Sequence, residues 1–382
     1  MLKIDLFCRV IDNYGDIGVC WRLARQLAEE HRCAVRLIVD DLSAFKVIAP
    51  TINPRLLQQS LLGVEVNAWS AFDALCSRDV VIEAFACDPL ARYIESMAVR
   101  SPTPVWINLE YLSAEAWVDE IHGMPSKHPR LPLTKYFFCP GFTEVSGGLI
   151  RERLEAYPGN LPFGSVSLGE RVAVRDAASD PSWAQLRNPS PVAARARGEG
   201  NKPEALRIFA FTYPHAPLRA LARAFATVGV PTTVTLAAPL AQTSRHWQIA
   251  TAVPQTHFDT LLANFDFLIV RGEDSFVRAQ WAGKPFLWHI YPTDDGAHLI
   301  KLDAWLDRYC VGLDVNASVA YRGASHAFNA AVGDGAQSQT YAILARNLCA
   351  LTAHGARWRD TLMQQTDLVT RLVDFINAKR SR

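Results

Sequence analysis

One four-part unit constrains this chain more than any other. A compact apolar run, Phe265 to Val270, reads as a buried parallel strand. Arg271-Gly272-Glu273-Asp274-Ser275 follows as a tight polar turn that opens a short helix, and Gly283, Lys284 and Pro285 close that helix. Phe286 to Ile290 reads as the next strand. Strand, turn, helix and strand in this order specify a parallel sheet wound by helices. The turn then lies at the carboxyl end of the sheet, where open α/β folds take ligands. The helix-first amides of Asp274, Ser275 and Phe276 point toward an anion, and Arg271 adds a forked cationic donor suited to phosphate.

The amino-terminal end repeats the plan. Ile4 to Val10 reads as a strand, residues 11–18 as a turn, Val19 to Glu30 as a helix and Ala34 to Val39 as a second strand. The helix is expected to bury Cys20, Leu23, Ala24 and Leu27, and to expose Arg22, Arg25, Gln26 and Glu29. Further strands are expected at Val64 to Ala68, Val80 to Glu83, Val105 to Leu109 and Tyr136 to Cys139. A second series comprises strand Arg207 to Phe211, helix Ala216 to Val228, strand Thr232 to Leu236 and a strand near Ile249 to Val253. Between the series, Pro181, Pro189, Pro191, Gly198, Gly200 and Pro203 break all periodicity. The expected organisation is a Rossmann-like domain over 1–175, a linker or surface excursion over 176–204, and a second Rossmann-like domain over 205–355. A terminal helix within 356–382 is expected to pack back on the first domain.

Composition excludes several classes. Lys plus Arg is 39 against 38 for Asp plus Glu, so no global field calls for nucleic acid or an anionic membrane. No apolar run approaches the ~20 residues of a membrane span, and Lys3 and Asp5 interrupt any leader-like opening. The eight cysteines form no C-x-x-C pair and join no histidine at zinc spacing, so buried, reduced thiols in a cytoplasmic protein are expected.

Two Rossmann-like domains facing across a cleft suit a GT-B glycosyltransferase or a nicotinamide dehydrogenase. The dehydrogenase wants G-x-G-x-x-G after the first strand. Here that turn holds only Gly15 and Gly18, with Asp16 between them to repel a pyrophosphate.

Several stretches are more specific. The opening Phe7 to Arg25, Ile82-Glu83-Ala84-Phe85-Ala86-Cys87-Asp88, Leu109 to Glu115, Ser146 to Glu152, Arg271 to Gln280, Ala282 to Phe286 and Trp288 to Pro292 closely resemble the protein-arginine rhamnosyltransferases of bacterial translation elongation factor P. The resemblance implies the GT-B fold, dTDP-β-L-rhamnose as donor, and an arginine of elongation factor P as acceptor. It also implies inversion at the anomeric carbon, no metal and no further cofactor. The first domain would hold the acceptor and the second the nucleotide sugar.

In the resembled family Asp16 matches the general base, and Asp12 its partner in holding the arginine. A guanidinium is a poor nucleophile, and two carboxylates can grip it by forked hydrogen bonds while one takes its proton. As a plain structural role, Asp16 would cap its helix and Asp12 would stabilise an Asx turn. Gln255 and Phe258 match the nucleotide site, where an amide reads a base edge and an aromatic ring stacks. Phe211 and Tyr213 match donor-contacting positions, although Phe211 also suits a core. Arg271, Asp274 and Ser275 are expected at the diphosphate, Asp274 through its amide. Glu273 is expected to face ribose, sugar or acceptor, or else the helix dipole. Tyr291 is expected to donate to a phosphate oxygen or to stand as a wall aromatic. Arg278 is one turn beyond Asp274 and suited to pair with it, His289 reads as a core histidine, and Arg151 and Glu152 carry no assignment. A small-molecule or glycan acceptor, or a non-catalytic nucleotide-sugar sensor, remains the alternative.

Overall fold

The computed structural model describes residues 1–11, 14–70, 76–153, 205–240, 243–330 and 334–381. The expected linker over 176–204 and Asp12 lie outside the described residues. In chain order the first series is β1 Lys3–Cys8, α1 Gly15–Glu29, β2 Ala34–Val39, α2 Leu42–Ile48, β3 Gln58–Leu61, β4 Val64–Ala68, β5 Val80–Ala84, α3 Ala91–Ala98, β6 Val105–Leu109, α4 Trp117–Ile121, β7 Pro125–Lys127 and β8 Thr134–Phe138. The second is β9 Leu206–Ala210, α5 Leu218–Thr227, β10 Thr232–Leu236, β11 Gln248–Ile249, α6 Phe258–Ala263, β12 Phe267–Arg271, α7 Asp274–Ala282, β13 Phe286–His289, α8 Ala297–Tyr309 and α9 Val315–Asn329. The tail is α10 Asp334–Arg346, α11 Leu348–Met363 and α12 Leu368–Arg380.

The first sheet runs β3-β4-β2-β1-β5-β6-β8-β7, and the second β11-β10-β9-β12-β13. All pairs are parallel except β3 with β4 and β7 with β8. Parallel strands covered on both faces should be apolar throughout, and β5 and β6 are buried at every residue. One buried cluster runs from β1 and α1 through the second sheet to α12, while Phe7, Ile38, Val81, Tyr93, Met97 and Trp106 pack the opposite face of the first sheet.

The unit around Arg271 forms as its residues demand. Gly272 turns the chain at φ +61°, a left-handed value that costs a side-chain-bearing residue more than glycine. Trp288 Nε1 donates to Gly272 O at 2.9 Å and locks the turn onto β13. Gly283 ends α7 at φ +62°, as a left-handed helix stop requires.

The tail is the three helices α10 to α12. Asp367 starts the last of them, its carboxylate accepting from the amides of Val369 and Thr370. Helix α12 lies against the first sheet, with Phe375 edge-on to Phe138 and Leu368 N donating to Leu149 O at 2.9 Å. The strand expected near Ile249 to Val253 shrinks to Gln248–Ile249. Among the cysteines, Cys76 and Cys349 are exposed rather than buried. No helix among the described residues is long and apolar enough to cross a membrane.

Candidate active site

Two cavities open at the carboxyl ends of the sheets and share Gly15, Gly272 and Glu273 in their walls. The first, of about 470 Å³, lies over β9, β10 and β12. Its wall includes Phe211, Gln255, Phe258, Arg271, Asp274 and Ser275. The second, of about 560 Å³, faces β1, β5 and β6 and includes Asp16, Phe85, Tyr111, Glu273 and Tyr291.

In the first cavity the Arg271 guanidinium lies 4.4 Å from the Phe211 ring centre and 4.9 Å from that of Tyr213. Its Nη1 donates to Thr212 O at 3.2 Å, so the cation is aimed before any ligand arrives. Phe258 packs edge-on against Phe209 and Phe211. The Ser275 hydroxyl is taken up by the turn, donating to Arg271 O and accepting from Arg271 N. Two buried polar atoms in this wall have no partner among the described residues: Thr212 Oγ1 and Gln255 Oε1. Such atoms are rare in folded proteins and are accounted for when a ligand or water meets them.

In the second cavity Asp16 is the second residue of α1 and almost wholly buried. The helix cap is Tyr14, so the capping role does not belong to Asp16. Its Oδ2 accepts from Ile11 N at 2.7 Å and its Oδ1 from the Tyr111 hydroxyl at 3.0 Å. Glu273 Oε2 accepts from Leu112 N at 2.9 Å. Burial, aided by the charges of Asp16 and Asp274, pushes the Glu273 carboxyl up to about 7 against the pull of Lys301 and the Leu112 amide. Tyr291 stays half-exposed and meets Tyr213 edge-on. His289 accepts from Tyr213 N through Nδ1, and burial with Arg271 nearby lowers its pKa to about 4. It is a neutral structural histidine.

Beside the first cavity lies a buried ionic cluster that overturns one sequence expectation. Arg22 and Gln26 are wholly buried, not exposed. Arg22 holds Glu152 by Nε at 2.7 Å and Nη2 at 2.5 Å, and Asp274 by Nη1 at 2.9 Å. Arg278 meets the same Asp274 at 3.1 Å and also pairs with Asp259. Gln255 Nε2 donates to Gly18 O at 2.8 Å and to Asp274 Oδ2 at 2.9 Å. Burial works against the Asp274 charge, yet Arg278 and Arg22 outweigh it and hold its carboxyl below the usual range. Its carboxylate is therefore the hub of a cross-sheet network. Arg151, also unassigned from the sequence, donates to the Met363 and Gln365 carbonyls at the end of α11. Among the described residues no group of three or more His, Cys, Asp or Glu is placed to hold a metal ion.

Residues 4–377 match the family of the Elongation-Factor P (EF-P) rhamnosyltransferase EarP. The chain belongs to the EarP family. A protein-arginine rhamnosyltransferase of Pseudomonas putida is 40% identical over 392 residues, covering 97% of each chain. A solved structure concerned with EarP-mediated arginine glycosylation of translation elongation factor EF-P is 28% identical, covers 99% of each chain and has a TM-score of 0.58. The spinosyn forosaminyltransferase SpnP, at 13% identity and a TM-score of 0.51, shares the architecture alone. The EarP-family chain has the GT-B glycosyltransferase fold.

The residues that sequence reasoning missed are Arg22, Thr212, Tyr111 and Phe85. Tyr111 and Phe85 stand inside stretches that carry the family resemblance, so that signal was present. Thr212, between Phe211 and Tyr213, bore no mark of its own.

Proposed function

We propose that this chain transfers rhamnose from dTDP-β-L-rhamnose to an arginine side chain of translation elongation factor P, as a metal-independent, inverting enzyme. The observation that carries the reading is the meeting of two unlike cavities at Gly15, Gly272 and Glu273. One offers aromatic walls, a braced guanidinium and two unsatisfied polar atoms. The other offers the carboxylates of Asp16 and Glu273. An anionic donor suits the first and a cationic acceptor the second.

In this reading Phe258 and Phe211 flank the base, and Gln255 Oε1 accepts from its imide edge. Tyr213 supports Arg271 from beneath. Arg271 and the amides of Asp274 and Ser275 hold the diphosphate, and Tyr291 closes over it. Asp16, with Glu273 from the opposite wall and Asp12, four residues earlier in the sequence, holds the guanidinium. One nitrogen attacks the anomeric carbon as the bond to the diphosphate oxygen breaks. The pair of electrons leaves with dTDP, Asp16 takes a proton from nitrogen, and a single displacement inverts the centre. A translation factor as acceptor places the reaction in the cytoplasm.

The test is direct. The chain is incubated with elongation factor P and dTDP-rhamnose, and the factor is weighed intact and mapped by fragmentation. One deoxyhexose on one arginine is expected. Unmodified factor under conditions where dTDP binds would sink the reading.

A further inference from the structure

The segment after β5 departs from ordinary backbone. Phe85, Ala86 and Asp88 have φ of +58°, +50° and +48°. Five non-glycine residues show positive φ among the described residues, and three of them fall in this one turn. Left-handed backbone is costly for residues that carry a Cβ and persists where the surroundings over-determine it. Here Phe85 N donates to Leu109 O at 2.7 Å, Ala86 N to Asn108 Oδ1 at 3.0 Å and Cys87 N to Ala84 O at 3.2 Å.

The result is a platform. The Phe85 ring lies flat on the Tyr111 ring, with centres 4.1 Å apart and planes 8° from parallel. Tyr111 is 37% exposed, and the Phe85 face covers one side of its ring. From that platform the Tyr111 hydroxyl donates to Asp16 Oδ1 at 3.0 Å, while Ile11 N donates to Oδ2 at 2.7 Å. Two donors from different segments set the plane of one carboxylate. Burial and the neighbouring charge of Asp16 raise the phenol pKa, so Tyr111 keeps the proton it donates.

We propose that Tyr111, braced by Phe85, is a positioning residue for transfer: it aims the Asp16 carboxylate at the acceptor nitrogen. The proposal rests on the reading of Asp16 as the group that takes the acceptor proton. The strained turn at residues 85–88 is the structural cost of presenting Phe85 face-on to Tyr111.

The experiment uses the full chain with elongation factor P and dTDP-rhamnose. Initial rates come from intact mass, and dTDP affinity from calorimetry. Tyr111→Phe keeps the stacked ring and removes only the hydroxyl. It is expected to lower kcat by about tenfold to a hundredfold, the range expected for a lost hydrogen bond to an ionised group. Acceptor KM and dTDP affinity are expected to stay within about twofold. Phe85→Leu, which removes the brace and leaves the hydroxyl, is expected to lower kcat in the same selective way, and Phe85→Tyr to restore it. An unchanged kcat in folded Tyr111→Phe, or a loss confined to acceptor KM, would overturn the proposal. A wild-type chain that binds dTDP and transfers nothing would overturn the reading of the reaction, and this assignment with it.

Discussion

Arg22 of α1 donates to Asp274 of α7 across 252 residues of sequence, at 2.9 Å, with its side chain wholly out of solvent. The same guanidinium grips Glu152 in a fork. Helix α1 follows the first strand of the first sheet, and α7 joins two strands of the second, so this arginine fastens one to the other.

Removing Arg22 takes a buried guanidinium away from two carboxylates, Glu152 and Asp274. Breaking a buried ion pair from one side costs about 3–5 kcal/mol, far more than its net contribution when intact. Arg22→Met is expected to lower the free energy of unfolding by about that much in urea titrations. A loss under about 1 kcal/mol would show the cluster to be no more than a surface pair.

Asp16→Ala separates binding from chemistry. Asp16 lines the second cavity and not the first, so dTDP affinity should hold. Transfer to elongation factor P should fall by roughly 10²–10⁴ if Asp16 serves as general base. Wild-type transfer rates in this variant, read by intact mass, would remove Asp16 from that role.

Arg271→Ala should act on the other substrate. The guanidinium braced over Phe211 and Tyr213 is poised for an anion, and a hydrogen bond to a charged group is worth about 1.5–3 kcal/mol. Calorimetric titration with dTDP should show affinity reduced by roughly tenfold to a hundredfold. Arg271→Lys should recover little, because a point charge cannot replace a stacked fork.

Glu273 should leave a pH signature on stability. Its folded-state pKa stands at about 7, above the ordinary 4.5. The folded chain therefore binds this proton more tightly than the unfolded chain does. The favourable contribution is complete below the ordinary value and is lost as pH rises through about 7. Glu273→Gln should melt near the wild type at pH ~5 and above it at pH ~8. Parallel melting curves with no such divergence would show that the carboxylate is not held against its charge.

Much of the fold was legible because it rests on short-range pattern. The runs at Ala34–Val39, Val64–Ala68, Val105–Leu109 and Thr232–Leu236 form strands with the bounds that residue type suggests. Buried parallel strands announce themselves by continuous apolar character. Antiparallel β3 and β7 were not legible, since Gln58–Leu61 and Pro125–Lys127 are half-exposed edges whose pairing depends on a neighbour.

The candidate site divides along the same line. Phe211, Gln255, Phe258, Arg271, Asp274 and Ser275 were named from the sequence, and all line one cavity. What the sequence alone determined is which segments alternate strand and helix, where the polar turns fall, and so where acids and cations are offered. What only the tertiary structure decided is which partner each charge meets. Arg22 looks like a solvated helix residue by its own neighbours and becomes the best-buried cation among the described residues because Glu152 and Asp274 arrive from 130 and 252 residues away. Periodicity reports the face a residue prefers in isolation. Desolvating a charge is tolerated only when distant groups converge on it, and that convergence exists in space and not along the chain.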